Sequence, residues 1–452
     1  MRLNGDFPAV LLPIETTTRE LDSKLVIASA LAAQGCRAIV GHKGVLKEIG
    51  LGSKGLLWQG KSLFSSRSSH HFADHFIERS SAIMFIHDEG GIYQVGPWIQ
   101  ELLKTHDVER FSKAKVNRIC VWGTRQKDIL SSYANKPQDF IRVTGSPRFD
   151  LCLPTFSWLT ERKAEEKRSK YKPFILMCTR FATAAHARGQ ADLFHRRLNP
   201  ERWPENLDQK AISDLNFSTW NRDVHDFADF VILIKEIAHH FPQYTIILRP
   251  HPSENLAFYK TAFASFKNVH TTREDSVLPW IRSAELVVHC NCTTGIEAVL
   301  AGRPVLNLLP ACDARAAFDI EVAREAGCVA ESIQDALDAT ARLLSGEAPK
   351  HVWSPHAQTM LHNLKHETIP ILVEETKRVM QEARITSSGV ALPKLRNVVR
   401  RFLRGVPTHR AAKRRPLDPG YVEMLLEQCR SNCVGKGRVR HLTKTYVVVD
   451  PA

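Results

Sequence analysis

Two polar turns in the second half of the chain carry residues that can bind phosphate. An Arg-Pro-His-Pro turn at residues 249–252 and a Cys-Thr-Thr-Gly turn at residues 292–295 each follow a short apolar segment. Arg249 and His251 supply charge and directional hydrogen-bond donors. If a helix begins at the second turn, its unpaired backbone N–H groups and its dipole attract an anion. The two turns therefore predict a site for a phosphorylated ligand.

Each of these residues also has a purely structural interpretation. Thr293 could only cap its helix, and His251 could only hydrogen-bond a loop carbonyl. The combination of both turns at neighbouring crossovers of one sheet favours the binding site. We assign the phosphate or ribose contacts there to Thr293, Thr294 and Gly295.

Adjacent carboxylates in the first half of the chain could supply a general base or a nucleophile. Asp88 and Glu89 directly follow an apolar segment, and the next two residues are glycines that would let the backbone approach a ligand closely. A turn-capping role for Asp88 is the alternative. Glu15 follows the first apolar segment in the same way, and for this residue we favour a local ion pair with Arg19.

The elements that position these residues alternate between short apolar strands and amphipathic helices, as in parallel βαβ units. The predicted strands of the first half lie at 9–14, 37–40, 82–86, 118–121 and 140–143. Those of the second half lie at 174–178, 244–248, 286–289 and 304–308. Ligands of such sheets bind at the carboxyl ends of the strands, which is where the polar turns lie.

The predicted fold class is α/β, with two Rossmann-like doubly wound domains facing a cleft and a basic C-terminal tail. We expect an acceptor-side domain at residues 1–155, a nucleotide-donor domain at 173–375 and a basic amphipathic tail at 394–452. A charged connector at 160–172 separates the two domains. Residues 188–223 show no clear period and are expected to form a loop-rich insertion.

Composition excludes several classes of protein. Hydrophobic residues make up 43% of the 452 residues, which indicates a packed globular protein. No apolar run reaches about 18 residues, and the N-terminus lacks a signal-peptide pattern, so we expect a cytoplasmic protein. The ten cysteines form no paired CxxC motifs, and we expect reduced thiols, no structural metal and no cofactor.

Most of the net charge of +14 comes from one short segment. Residues 394–415 contain nine Lys or Arg and no Asp or Glu, and the chain shows no known nucleic-acid module. Apolar residues recur there at helical spacing, beside a basic face, so we predict docking to an anionic inner-membrane surface. The predicted membrane residues are Arg396, Arg400, Arg401, Phe402 and Arg404. A helix packed on the body of the protein is the alternative.

The combination of motifs resembles a known family. The run Arg249-Pro-His-Pro-Ser-Glu-Asn255, the run His289-Cys-Asn-Cys-Thr-Thr-Gly-Ile-Glu-Ala298 and Gly302-Arg-Pro304 resemble the nucleotide-binding half of bacterial GT-B glycosyltransferases of surface polysaccharide assembly. Asp88-Glu-Gly-Gly91 and Thr144-Gly-Ser-Pro-Arg-Phe-Asp150 resemble the "surface carbohydrate biosynthesis protein" group. The resemblance covers residues 9 to 375. It departs at Ser146, where the family commonly has Asn.

The resemblance implies a metal-independent glycosyltransferase whose second domain binds the donor nucleotide. The His-Pro turn is similar to that of capsule Kdo transferases and teichoic-acid glycerophosphotransferases, which use CMP- or CDP-activated donors. We therefore favour a CMP-linked ulosonic acid such as Kdo as donor and a lipid-linked or glycan acceptor. The alternatives are a UDP-sugar transferase or epimerase, a CDP-glycerol-type phosphotransferase and a non-catalytic membrane-tethered assembly protein.

The resemblance also implies roles for individual residues. Asp88, Glu89 and His251 are the expected catalytic residues, and Ser276 and Glu297 are expected to join the donor-binding set. For Glu297 the alternative is a partner for the helix dipole, worth about 0.3–1 kcal/mol. The expected sugar and acceptor contacts are Glu15, Arg19, Ser146, Arg148 and Asp150. For Ser146, Arg148 and Asp150 the alternative interpretation is a hinge at residues 145–147.

Overall fold

The computed structural model describes residues 2–3, 7–60, 67–86, 117–132, 140–171, 173–199, 208–311, 319–392 and 415–452. These residues divide into two compact units. The first contains the described residues up to 151 and from 359 onward, and the second contains residues 152–358. The predicted α/β class with two Rossmann-like domains is confirmed, because each unit is built on its own largely parallel sheet.

The strands, in chain order, are β1 (Arg2–Leu3), β2 (Ala9–Ile14), β3 (Arg37–His42), β4 (Leu56–Gly60), β5 (Ala82–Ile86), β6 (Asn117–Val121), β7 (Ile141–Val143), β8 (Phe174–Cys178), β9 (Thr245–Arg249), β10 (Val269–Thr271), β11 (Leu286–His289), β12 (Val305–Leu308), β13 (Cys328–Ala330), β14 (Val390–Ala391), β15 (Gly437–Leu442) and β16 (Tyr446–Pro451).

The described α-helices are α1 (Thr17–Ala33), α2 (Lys43–Gly52), α3 (Arg67–Glu78), α4 (Thr124–Ser131), α5 (Pro147–Asp150), α6 (Glu161–Tyr171), α7 (Gln190–Arg197), α8 (Gln209–His240), α9 (Leu256–Ala262), α10 (Leu278–Ser283), α11 (Thr293–Leu300), α12 (Glu321–Arg324), α13 (Ile333–Leu344), α14 (Pro355–Met360), α15 (Thr368–Glu382) and α16 (Pro419–Ser431).

The first unit has an eight-stranded sheet in the order β15-β16-β3-β2-β4-β5-β6-β7. Strands β2 to β7 are parallel, and all residues of β2 to β5 are buried, as expected for a sheet covered by helices on both faces. The hairpin of β15 and β16 adds to the edge of this sheet, with β16 antiparallel to β3.

The described end of the chain therefore differs from the predicted tail. Residues 415–452 are part of the first unit rather than a separate appendage. The Arg37 guanidinium on β3 donates to the Asp450 carboxylate on β16 at 2.5 and 3.0 Å, and both side chains are buried. A buried ion pair of this kind ties the hairpin to the sheet. Residues 393–414 lie outside the described residues.

The second unit has a six-stranded, fully parallel sheet in the order β10-β9-β8-β11-β12-β13. Numbered along the chain from β8, this is the 3-2-1-4-5-6 order of a Rossmann fold. One face of the sheet packs on α8 and α13 through Phe230, Leu233 and Ile237. The other face packs on Trp280 and Ile281 of α10.

The predicted loop-rich insertion at 188–223 is wrong for the segments 190–197 and 209–223, which are helical. Helix α8 begins at Gln209, where the carboxylate of Asp208 accepts a hydrogen bond from the Ala211 N–H at 2.6 Å. Between residues 209 and 226 it buries mainly polar and charged residues, with Ile212 as the one buried apolar residue in this stretch. The polar buried face hides the apolar period that identifies a helix from sequence. The predicted connector at 160–172 likewise contains helix α6.

Candidate functional site

The candidate site lies at the carboxyl edge of the second sheet, where the strand order reverses. Strands β8 and β11 are neighbours there, with Cys178 opposite His289 at their ends. Ligands of open α/β sheets bind outside the strand ends at this topological switch point. The turn after β11 leads directly into helix α11 at Thr293.

His289 fixes the start of α11. Its Nδ1 accepts a hydrogen bond from the Cys292 N–H at 3.1 Å, so Nε2 carries the proton and donates to the Ala326 carbonyl at 2.9 Å. The ring is fully buried, and burial lowers the pKa of His289 to about 4. The imidazole is therefore neutral at pH 7 and positions the turn through directional hydrogen bonds rather than through charge.

Gly295 lets the helix start pack closely on His289. A Cβ at this position would lie 2.1 Å from Nε2 of His289, well inside any real contact. The Gly295 N–H donates to the Cys292 carbonyl at 3.0 Å. This N–H is thus engaged within the protein, and the predicted phosphate donors reduce to the first two residues of the helix.

Thr293 and Thr294 occupy those first two helical positions, and both are partly exposed. Among the described residues, no acceptor bonds to their backbone N–H groups. The Thr294 hydroxyl contacts the Cys292 thiol at 3.5 Å. Two open N–H donors at the positive end of a helix dipole suit an anionic group.

Two buried asparagines complete the turn before α11. Asn291 adopts a positive φ of 42°, and its N–H donates to Oδ1 of Asn307 on β12 at 2.9 Å. The Asn291 side chain in turn exchanges two hydrogen bonds with the backbone of Ile320, at 2.6 and 3.0 Å. The sequence interpretation missed both residues; a polar Asn307 inside an apolar strand was the available signal.

Arg249 ends β9 and holds a neighbouring loop. Its guanidinium donates to the carbonyls of Glu274 and Asp275 at 2.6 and 3.1 Å, and it lies 5.4 Å from the Trp280 ring centre. Asp275 has a positive φ of 59°, so these contacts help hold a strained turn. Ser276, the next predicted donor contact, is partly exposed directly after this turn. Arg249 is thus placed to position the loop that carries Ser276.

His251 is held by its own loop. Nδ1 accepts from the Ser253 N–H at 3.2 Å, which leaves the proton of the neutral ring on Nε2. The His251 N–H donates to the Thr179 hydroxyl at 3.2 Å. The residue is partly exposed, and the hydrogen bond at Nδ1 orients the ring.

Glu254 is an unpredicted residue beneath the same loop. It is fully buried, and its Oε2 accepts hydrogen bonds from the hydroxyls of Thr179 and Tyr259. Burial outweighs these hydrogen bonds and raises the pKa of Glu254 to about 7. Arg273 braces the loop from the other side by donating to the carbonyls of Pro250, His251 and Glu254.

Glu297 lies in α11, two residues beyond Gly295, with an exposed fraction of 6%. Its predicted ribose contact stays a prediction.

The predicted residues of the first unit lie in two places. Glu15 follows β2, and the Lys43 ammonium of α2 donates to its Oε1 at 2.7 Å. The predicted ion pair between Glu15 and Arg19 stays a prediction. The Glu15 N–H donates to the carboxylate of Glu20 at 2.8 Å. Both carboxylates therefore stabilise the turn between β2 and α1.

Ser146 and Asp150 belong to a buried structural cluster. Asn363 exchanges hydrogen bonds with the backbone of Ser146 and donates to the Asp150 carboxylate at 2.6 Å. The other Asp150 oxygen accepts from the N–H groups of Thr368 and Ile369 at the start of α15. Asp150 is fully buried, so its position favours holding a helix start over the predicted sugar contact.

The remaining predicted residues are placed as follows. Arg148 is partly exposed, with its guanidinium 4.9 Å from the Phe149 ring centre. Asp88 and Glu89 lie outside the described residues, as do Arg396, Arg400, Arg401, Phe402 and Arg404. Across the described ranges, no three His, Cys, Asp or Glu side chains are grouped as a metal site, and no helix is long and apolar enough to cross a membrane.

Comparisons with known proteins give similarity at the level of the fold. The sequence matches no protein-family model and no curated protein. The structure is similar to the UDP-GlcNAc 2-epimerase of Neisseria meningitidis bound to UDP-GlcNAc, with 14% identity, a TM-score of 0.46 and coverage of 82% of this chain and 100% of that one.

Two further solved structures show similarity of the same order. The UDP-GlcNAc 2-epimerase of Methanocaldococcus jannaschii, in complex with UDP-GlcNAc and UDP, has 11% identity and a TM-score of 0.45, covering 82% of this chain and 99% of that one. Anabaena HepE in complex with UDP-glucose has 10% identity and a TM-score of 0.40, covering 83% and 98%. At these values the similarity assigns neither substrate nor activity to this chain.

Proposed function

We propose that this protein is a nucleotide-sugar enzyme of the GT-B type that binds the donor phosphates at the start of α11. One observation carries the proposal: the open N–H groups of Thr293 and Thr294 lie at the switch point of a 3-2-1-4-5-6 parallel sheet. That is where Rossmann-like sheets bind nucleotides. His251, with its fixed Nε2–H donor, lies in the turn after β9, two strands from β11 in the same sheet.

The reaction we propose is glycosyl transfer in bacterial surface polysaccharide assembly. The donor is a CMP-linked ulosonic acid such as Kdo, and the acceptor is a lipid-linked or glycan hydroxyl. The helix start and His251 stabilise the departing phosphate, and a carboxylate at Asp88 or Glu89 acts on the acceptor hydroxyl or the anomeric carbon. No metal or cofactor is part of this mechanism.

Calorimetric titration with CMP-Kdo, UDP-GlcNAc, UDP-glucose and CDP-glycerol tests the proposal, together with nucleotide release with and without acceptor. We expect binding of CMP-Kdo and acceptor-dependent release of CMP. Turnover of a UDP-sugar without acceptor would indicate an epimerase instead of a transferase. Turnover of CDP-glycerol would indicate a phosphotransferase. Binding of none of the four would contradict the proposed function.

A single backbone change tests the phosphate site itself. Thr293 is the first helical residue, where proline fits, and Cys292 before it has the extended conformation that precedes proline. Thr293→Pro therefore removes one N–H donor while keeping the helix. We expect nucleotide affinity to fall roughly tenfold to a hundredfold, the loss for one hydrogen bond to a charged group. Thr293→Ser is the control; equal affinity of both variants would exclude the N–H contact.

Binding to an anionic membrane surface through residues 394–415 is part of the proposal. Truncation at 394 is unsuitable as a test, because it also removes β15 and β16 from the first sheet. Replacing Arg396, Arg400, Arg401 and Arg404 by Gln removes charge and keeps the hairpin. We expect the full chain to co-sediment with anionic vesicles and the variant to lose most of that binding, since each basic residue contributes about 1 kcal/mol. Equal sedimentation would exclude the segment.

A further inference from the structure

Arg180 is a cation with a 12% exposed side chain that joins three elements of the second unit. It lies in the loop after β8. Its Nε donates to the Cys290 carbonyl at 2.6 Å, Nη1 to Asp223 at 2.9 Å and Nη2 to Asp226 at 2.6 Å. The two carboxylates project from α8 and are 4% and 0% exposed. Every nitrogen of the guanidinium is thus engaged inside the protein.

The Cys290 carbonyl, which accepts the hydrogen bond from Arg180, lies close to the start of α11. Cys290 directly follows β11, and only Asn291 and Cys292 separate it from the first residue of α11. The Asn291 turn is already fixed on its other sides by Asn307 and by the backbone of Ile320. Arg180 adds the remaining anchor, from α8, to the residues that set the direction of the helix start.

The charges around this guanidinium are balanced by a wider buried network. Arg222 on α8 donates to Asp223 at 2.8 Å and lies 3.5 Å from Asp319, the residue before Ile320. Buried ion pairs contribute little net stability compared with apolar packing, but they impose geometry. A network that joins α8, the β8 loop and both sides of the Asn291 turn is suited to fixing the orientation of α11.

We propose that Arg180, oriented by Asp223 and Asp226, is a positioning residue that fixes the start of α11 and thereby sets its affinity for the nucleotide phosphates. The role in phosphate affinity rests on the proposed function. The role in fixing the turn does not. The end of the predicted insertion, at Arg222 and Asp223, thereby helps to support the proposed donor site.

Hydrogen–deuterium exchange on the full chain tests the positioning role without any ligand. Asp226→Asn keeps the shape of the side chain and removes its charge. Arg180→Lys keeps the positive charge but loses the planar guanidinium, whose nitrogens donate in several directions at once. We expect exchange at residues 290–296 to rise roughly tenfold in Asp226→Asn, the effect of one weakened charged hydrogen bond, with a smaller rise in Arg180→Lys. Asp214→Asn breaks the exposed pair with Lys210 on the same helix and is the matched control.

Nucleotide titration of the same variants tests the functional consequence. We expect a higher Kd and a higher KM in Arg180→Lys and Asp226→Asn. The change in kcat should be smaller, because these residues act on nucleotide binding and not on the chemical step. Thermal unfolding identifies any variant that fails to fold, and Arg180→Lys is then the informative one. Unchanged exchange and unchanged Kd in a folded variant would overturn the proposal. If the wild-type chain binds no nucleotide, the proposed function fails, while the exchange result still decides the positioning role.

Discussion

His289 and Gly295 pack against each other so closely that residue 295 must be a glycine. The ring occupies the volume that a Cβ at residue 295 would need, and both ring nitrogens are bonded to backbone. A neutral histidine can donate from one ring nitrogen and accept at the other. The turn before α11 is thus built on a residue that itself has no open donor.

Replacing Gly295 by Ala tests this packing. The added methyl group overlaps the His289 ring, so we expect the free energy of unfolding to fall by about 1–3 kcal/mol. Denaturant titration measures the change. Gly44→Ala is the control, because a Cβ there meets nothing within 4 Å and the residue lies in helix α2. A loss of stability in both variants, or in neither, would contradict the packing argument.

Glu254 makes stability depend on pH. Its pKa rises from 4.5 to about 7 on folding, so the folded state binds the proton more tightly than the unfolded state. The contribution is fully present below pH 4.5 and is lost as pH rises through about 7. Asp150 acts in the same direction between 3.8 and about 7.

We expect Glu254→Gln to flatten this part of the stability profile. The amide keeps an oxygen that can accept from Thr179 and Tyr259, and it does not titrate. Urea unfolding of wild type and variant at pH 5 and pH 7.5 measures the difference. A variant with the same slope as the wild type would show that Glu254 is ionised throughout.

At the scale of elements, the hairpin of β15 and β16 depends on the ion pair between Arg37 and Asp450. Both side chains are buried, and removing one partner leaves an uncompensated charge. We expect Arg37→Met to lower the free energy of unfolding by about 3–5 kcal/mol in a denaturant titration. Arg168→Met, which breaks exposed pairs on α6, should change it by less than about 1 kcal/mol. Comparable losses in both would exclude a special role for the buried pair.

The strands show how far sequence reasoning reaches for this fold. The segments 9–14, 82–86, 174–178 and 286–289 are confirmed to the residue, because continuous apolar runs bounded by polar turns identify buried parallel strands. Strand β10 was missed, since its three residues lie at a sheet edge and are only partly buried or exposed. The first part of helix α8 was assigned to a loop-rich insertion because it buries mainly polar and charged residues.

The residues of the candidate site likewise divide into those that the sequence indicates and those that it does not. Thr293, Thr294 and His251 could be selected because they follow apolar strands in short polar turns. Their supporting partners were harder to select. Arg180 reaches the turn from another element and carries no local signature, whereas Asn307 is marked only by being polar inside an apolar strand. Hydrogen bonds between residues distant in sequence are set by the topology of the sheet, which a single sequence states only indirectly.

At the scale of the whole molecule, the two units carry different parts of the proposed chemistry. The elements that we propose to bind phosphate belong to the second unit, whereas Asp88 and Glu89 belong to the sequence of the first half. We expect Asp88→Asn and Glu89→Gln to lose turnover while retaining the nucleotide affinity of the wild type. Titration and nucleotide-release assays on the same preparations measure both. A parallel loss of affinity would show that these carboxylates contribute to donor binding instead.

The pairing of β16 with β3 also constrains how the protein is made. Residues 152–358 follow one another along the chain, so the second sheet can form as soon as they leave the ribosome. The first sheet cannot close at β3 until residue 451 has been synthesised, some 400 residues after Arg37. During translation the first unit is therefore completed after the second. Until β16 is made, the edge of β3 stays unpaired, where a chaperone or a neighbouring nascent chain can reach it.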